Sequence, residues 1–226
     1  MSKGKLIVLD GTDGSGKKTQ TDLLLARLAK EGYAKEYADF PRYGKRSAAM
    51  VEDYLNGEFG KADEVNPYTA SLFYAMDRYS ASKDLRRSLN EGKVVVANRY
   101  VSSNMGHQGG KIKDAEDRSK YFEWLDNMEY NQLGIPRPNA TILLYVPAKI
   151  AQELVGKKEA REYLKGKTHD IHEEDLNHLE NAERTYLEAA KKYGFQIVKC
   201  VENGELLSRE AIHEKVWEVV LPIINA

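Results

Sequence analysis

Four short apolar runs punctuate the chain: Leu6–Leu9, Val94–Ala97, Thr141–Val146 and Phe195–Cys200. Runs of this length without polar alternation read as strands buried on both faces. Long stretches of helical spacing separate them, so the pattern predicts βαβ units and a parallel sheet flanked by helices. Leu23, Leu24, Leu25 and Leu28 make one apolar helix face, and Gly32 offers a C-terminal stop. Asn66-Pro67 supplies a cap and a first-turn proline for a helix reaching about Asn90. Leu176 to Tyr193 has amphipathic spacing, and a last helix is expected from about Ser208 to Val220. Gly156 to Glu174 is charged without a clear apolar face, so it is expected to be exposed and mobile. No repeat, low-complexity tract or linker divides the chain, which predicts one domain over residues 1–226.

Composition narrows the partners. With 226 residues, 42% of them apolar, the chain is long enough for a substantial core. Lys plus Arg number 34 against 35 Asp plus Glu, without the basic excess that nucleic acid or an anionic membrane surface demands. A single cysteine, Cys200, excludes an intrachain disulfide framework and suits a reducing compartment. No apolar run approaches the ~20 residues of a membrane helix, and LIVL near the N-terminus is too short for a signal peptide. A soluble cytoplasmic protein is expected.

Candidate chemistry begins at LDGTDGSGKKTQ, residues 9–20. Gly11, Gly16 and Lys17 satisfy G-x-x-x-x-G-K, between a predicted strand and a predicted helix. Gly11, Gly14 and Gly16 let backbone N–H groups turn inward, while the helix N-terminus and Lys17 add positive charge. Residues 11–19, with Thr12, Asp13, Ser15, Lys18 and Thr19, therefore read as a triphosphate cradle. The position that normally supplies a metal-ligating hydroxyl is Lys18, which cannot ligate Mg²⁺. Metal held elsewhere, substitution by Thr19 and reduced catalysis all remain open at this point.

The guanine-reading N-K-x-D element of GTPases is absent, and VVVA runs into Asn98-Arg99-Tyr100 rather than into acidic residues. Arginines recur near the predicted strand ends instead: Arg42, Arg78 and Arg99. Each offers a planar fork of donors suited to phosphate oxygens. Such a set facing a triphosphate loop suits a second phosphate-bearing substrate, because phosphoryl transfer between two anions needs chiefly alignment and charge neutralisation. A nucleoside monophosphate kinase is the expected class.

The ordered blocks GTDGSGKKTQ, DFPRYG, NPYTASLFYAMDRY, NRYVSSNMGHQGG, LGIPRPNATILLYVP and DIHEEDLNHLENAERTYL resemble the thymidylate kinase family, bacterial type, to about residue 200. The resemblance implies a phosphate-loop nucleoside monophosphate kinase fold with a small mobile lid at about residues 150–174. It implies Phe40 against the pyrimidine, Arg42 near the monophosphate, Tyr74 stacked on the base and Arg78 bonded to its carbonyl. Arg99 would bridge the two phosphates, Asn104 and Gln108 would wall the base, and His107 would crowd the 2′ position of the sugar. Asp13 would lie over the acceptor nucleotide or its metal. Lys157, Lys158 and Arg161 would close from the lid, with Mg²⁺ supported by Asp13 and by Glu173 or Asp170. Lys17, Arg99, Asp13 and Arg161 are thus the expected catalytic set, ATP and dTMP the substrates, and a homodimer the assembly.

Asn98 departs from the family's usual Asp. It keeps the shape but loses the charge, and restoring it by Asn98→Asp is expected to hold or raise activity. Two rivals stay open: a kinase for another pyrimidine deoxynucleoside monophosphate such as deoxyuridylate, and a degenerate nucleotide-binding regulatory protein.

Overall fold

The computed structural model describes residues 3–155 and 176–226. Five parallel strands form the central sheet in the order β2-β3-β1-β4-β5. They are β1 (Lys5–Asp10), β2 (Lys35–Asp39), β3 (Val94–Asn98), β4 (Ala140–Tyr145) and β5 (Gln196–Lys199). Strand β1 is central, pairing Leu9 with Asn98 on one side and with Ile142 on the other. Its side chains alternate between two cores. Leu6 and Val8 join Val95, Ala97, Leu85, Phe122 and Met105 on one face. Ile7 and Leu9 join Leu24, Leu28, Ile142, Val216 and Trp217 on the other. Both faces being covered is why these strands read as unbroken apolar runs.

The helices are α1 (Lys17–Lys30), α2 (Ala49–Leu55), α3 (Pro67–Asn90), α4 (Val101–His107), α5 (Ala115–Asp126), α6 (Ala148–Val155), α7 (Leu176–Tyr193) and α8 (Arg209–Ile224). Asn66 caps α3 as expected, its Oδ1 accepting from Tyr68 N at 2.8 Å, with Pro67 in the first turn. A π-helical turn, Asn127–Gln132, continues α5 and carries Glu129 inward. Helix α7 covers Leu143 with Ala182, Tyr186 and Ala190.

Helices α2, α4, α5 and α6, strand β2 and a small two-stranded hairpin go beyond the sequence reading. Strand β2, KEYAD, is an edge strand whose first three residues are exposed, so it lacks the apolar run of its neighbours. The hairpin β6 (Val201–Glu202) and β7 (Glu205–Leu206) turns at Asn203 and Gly204, with φ of 51° and 83°. Asn-Gly with both residues left-handed is the preferred two-residue hairpin turn. The lid positions Lys157, Lys158, Arg161, Asp170 and Glu173 lie outside the described residues.

Candidate active site

In open parallel sheets, ligands bind beyond the carboxyl ends of the strands where the strand order reverses. Here a cleft of about 830 Å³ opens at that place, lined among others by Asp13, Lys17, Phe40, Tyr74, Arg99 and Asn104. Its size falls in the range of small-molecule sites.

Its floor is the loop between β1 and α1. Asp10, fully buried, fixes where the loop begins: its carboxylate accepts from Gly11 N (2.9 Å), Ser102 Oγ (2.5 Å), Ser103 Oγ (2.9 Å) and Tyr186 OH (2.8 Å). Gly14 and Gly16 have φ of 85° and 81°, which an L side chain adopts only with strain. Gly14 is needed for a second reason, because a Cβ there would stand 2.2 Å from the Ala151 carbonyl of α6. Helix α1 starts at Lys17 without a side-chain cap, so its first N–H groups and positive dipole end face the cleft. Lys17 is buried rather than solvent-facing, and its Nζ donates to the carbonyls of Gly11 (3.0 Å) and Thr12 (2.9 Å). Lys18 is 62% exposed and paired with Asp22 at 2.5 Å, one helical turn on. Thr19 lines the cleft, whereas the hydroxyls of Thr12 and Ser15 are buried with no hydrogen-bond partner among the described residues.

The three arginines divide. Arg99 directly follows β3 with φ of 67°, a rare left-handed arginine held by Arg99 N donating to Leu9 O at 2.9 Å. Its guanidinium pairs with Asp13 and reaches His107 Nε2 at 3.1 Å. Arg78 comes from the middle of α3, not from a strand end, and is almost wholly buried. Its Nε and Nη2 each donate to Glu129 at 2.6 Å, and Nη1 donates to Tyr100 O at 3.3 Å. A bidentate partner therefore already holds the fork, and only its remaining N–H edge is available to the cleft it lines. Arg42, expected near the monophosphate, donates to Asp77 (2.9 Å) and Ser47 (2.9 Å), with its chain neighbours Pro41 and Tyr43 in the cleft lining.

Phe40 lines the cleft with Tyr100 packed edge-on to it at 5.6 Å, and Tyr74 lines it too, edge-on to Tyr54 at 6.3 Å. Asn104 Nδ2 donates to Ser71 O at 3.2 Å, and Gln108 Oε1 stands 3.5 Å from the Tyr54 hydroxyl; both amides are buried in the wall. Burial holds the His107 imidazole well below the usual histidine range, so it is neutral near pH 7.

Asp39 and His178 were not foreseen. Asp39 ends β2 in register with Asn98, whose Nδ2 donates to it at 2.8 Å. The exposed strand hid it. Among the described residues no three His, Cys, Asp or Glu side chains gather as a metal cage. The carboxylates of Asp13 and Asp39 line the cleft, oxygen donors of the kind that suit a divalent ion carried on nucleotide phosphates.

A phosphate loop at the carboxyl end of a parallel sheet, an arginine paired with the aspartate of that loop and aromatic side chains lining the same cleft define a phosphate-loop nucleoside monophosphate kinase. The family model for thymidylate kinase matches residues 9–211. This chain belongs to the thymidylate kinase family. It is 29% identical over 186 residues to thymidylate kinase of Mycobacterium tuberculosis, spanning 82% of this chain and 85% of that one. It is 30% identical over 160 residues to the probable thymidylate kinase of Pyrococcus abyssi, spanning 70% and 72%. The structure of thymidylate kinase from Candida albicans superposes with a TM-score of 0.75 over 98% of this chain and 93% of that chain, at 20% identity, which supports the fold.

Proposed function

We propose that the protein transfers the γ-phosphoryl group of ATP to dTMP, giving dTDP and ADP. Lys17 and the first N–H groups of α1 take the triphosphate. Phe40 and Tyr74 flank the thymine, with the free edge of Arg78, Asn104 and Gln108 around its rim and His107 against the sugar. Arg99 lies between the two phosphates. The observation that carries the reading is the pairing of Arg99 with Asp13 of the phosphate loop in the same cleft that Lys17, Phe40 and Tyr74 line, where a transferring phosphoryl group would pass. A dissociative phosphoryl transfer requires charge and alignment there and little covalent chemistry from the protein.

Mg²⁺ would be held by the nucleotide oxygens with Asp13 nearby, and it supplies charge neutralisation on the phosphates when bound. Among the described residues no helix is long and apolar enough to cross a membrane, and the single buried cysteine suits work in the cytoplasm. The chain acts as one domain with a lid at about residues 150–174, and as a homodimer. Leu72, Met76 and Tyr79 support that assembly, standing exposed on one face of α3 at 40%, 43% and 51%.

A coupled ADP-release assay across a panel of nucleoside monophosphates tests the activity. Turnover on dTMP with poor use of ribonucleotides is expected. Preference for deoxyuridylate, or nucleotide binding without turnover at any Mg²⁺ concentration, would overturn it.

A further inference from the structure

Beside Arg99, on the nitrogen that does not bond Asp13, two imidazoles stand in series. Arg99 Nη1 lies 3.1 Å from His107 Nε2, and His107 Nδ1 lies 3.2 Å from His178 Nε2. The rings are within 15° of parallel with centroids 5.4 Å apart, a geometry suited to a ring-to-ring hydrogen bond. His178 is the third residue of α7, far in sequence from the loop and the arginine it approaches. We propose that His178 is a positioning residue for phosphoryl transfer, holding the Arg99 guanidinium in line through His107. The inference rests on the reading of Arg99 as the group between the two phosphates.

Donor logic orders the chain of atoms. A guanidinium only donates, so His107 Nε2 must accept, and a neutral His107 then carries its proton on Nδ1. That N–H points to His178 Nε2, which must accept in turn, so His178 carries its own proton on Nδ1. Arginine thus dictates both tautomers, and His178 dictates where the Nδ1–H of His107 points. Among the described residues, the groups facing this pair include Asp13 and Lys17 from the loop and first turn, Arg99 just after β3 and Tyr186 from α7.

Helix α7 is well placed to act as the brace. Tyr186, two turns beyond His178, packs edge-on against the His107 ring at 5.6 Å and bonds Asp10 beneath the phosphate loop. The close fit of α7 on α4 requires Gly106, where a Cβ would stand 2.2 Å from the Tyr186 ring. Arg99 has a long side chain on a strained backbone, and ordering it costs rotamer entropy. Asp13 alone could order it but would also neutralise it. A neutral imidazole orients the same guanidinium and leaves its charge for the phosphates. That difference is what a second, uncharged anchor contributes.

The test has two arms on the full-length protein. Nitrogen-15 NMR of the nucleotide-free enzyme should show His107 protonated on Nδ1 with Nε2 accepting; protonation on Nε2 would overturn the relay. In steady state with ATP and dTMP, His178→Phe keeps the ring but removes the acceptor. It should lower kcat about tenfold with both KM values within about twofold, and His178→Gln, whose amide oxygen accepts, should recover most of kcat. Normal turnover in His178→Phe, or equal losses in the Phe and Gln variants, would overturn the proposal and leave His178 with a packing role. If the wild-type protein phosphorylates no monophosphate, the proposed activity fails, while the NMR arm still decides the relay.

Discussion

Arg78 illustrates how burial changes what a functional side chain can do. Its family resemblance implies a contact to the base, yet the carboxylate of Glu129 takes two N–H directions of its fork. Glu129 is therefore the residue that aims Arg78, and the pair is nearly inaccessible to water. Removing one partner of a buried pair leaves the other charge uncompensated, so Glu129→Ala should destabilise by about 3–5 kcal/mol in chemical denaturation. It should also raise the KM for dTMP; an unchanged denaturation midpoint and KM would show that the pair carries neither load. Asn98 is the second case. The sequence suggested that Asn98→Asp would hold or raise activity by restoring a charge. The structure sets its amide 2.8 Å from Asp39, so the substitution would oppose two carboxylates across β2 and β3. Asn98→Asp should now lower stability by about 1–2 kcal/mol near neutral pH, with the loss shrinking as pH falls toward the carboxylate range. A variant as stable as wild type at neutral pH would return the balance to the earlier expectation.

At the scale of elements, apolar runs and helix caps were legible wherever burial was two-sided or a cap was local. Strands β1, β3 and β4 and the bounds of α3 and α7 follow from such signals, whereas β5, read as buried on both faces, is an edge strand in which only Val198 is buried. Strand β2 was not legible because an edge strand half in water needs no apolar run, and Asp39 went unnoticed with it. The Asn-Gly turn of the small hairpin was readable by its turn chemistry and was passed over. For the site, the phosphate loop, Phe40, Tyr74 and Arg99 could be found because each sits in a local motif. Glu129, Asp77 and His178 could not, since each pairs with a residue 35 to 71 positions away. Lys111, ending the turn after α4, shows another non-local effect. Burial pulls its ammonium down to about 8 from 10.5, while its Nζ donates to Tyr54 OH at 2.7 Å. A depressed folded value gives a contribution fully present above 10.5 and lost as pH falls through about 8. Lys111→Met should therefore be more stable than wild type at pH 7, by on the order of 2 kcal/mol, and the advantage should vanish toward pH 10.5. Equal melting temperatures at both pH values would contradict this.

The whole molecule organises its chemistry at one edge of the sheet. Helix α7 braces the loop and Arg99 from one side, while α3 contributes Tyr74 and Arg78 on its inner face and an apolar stripe on its outer face. If that stripe is the homodimer contact, Met76→Asp should shift the protein from dimer to monomer in sedimentation velocity at micromolar concentration. A single monomeric species in the wild type would sink the assembly reading without touching the site.

The most direct test is a crystal structure of the protein with dTMP and a non-hydrolysable ATP analogue. The account predicts the γ-phosphate on Lys17 and the first turn of α1, thymine between Phe40 and Tyr74, and the dTMP phosphate within hydrogen-bond reach of Arg99. A dTMP molecule seated away from Phe40 and Tyr74, or with its phosphate turned from Arg99, would contradict it.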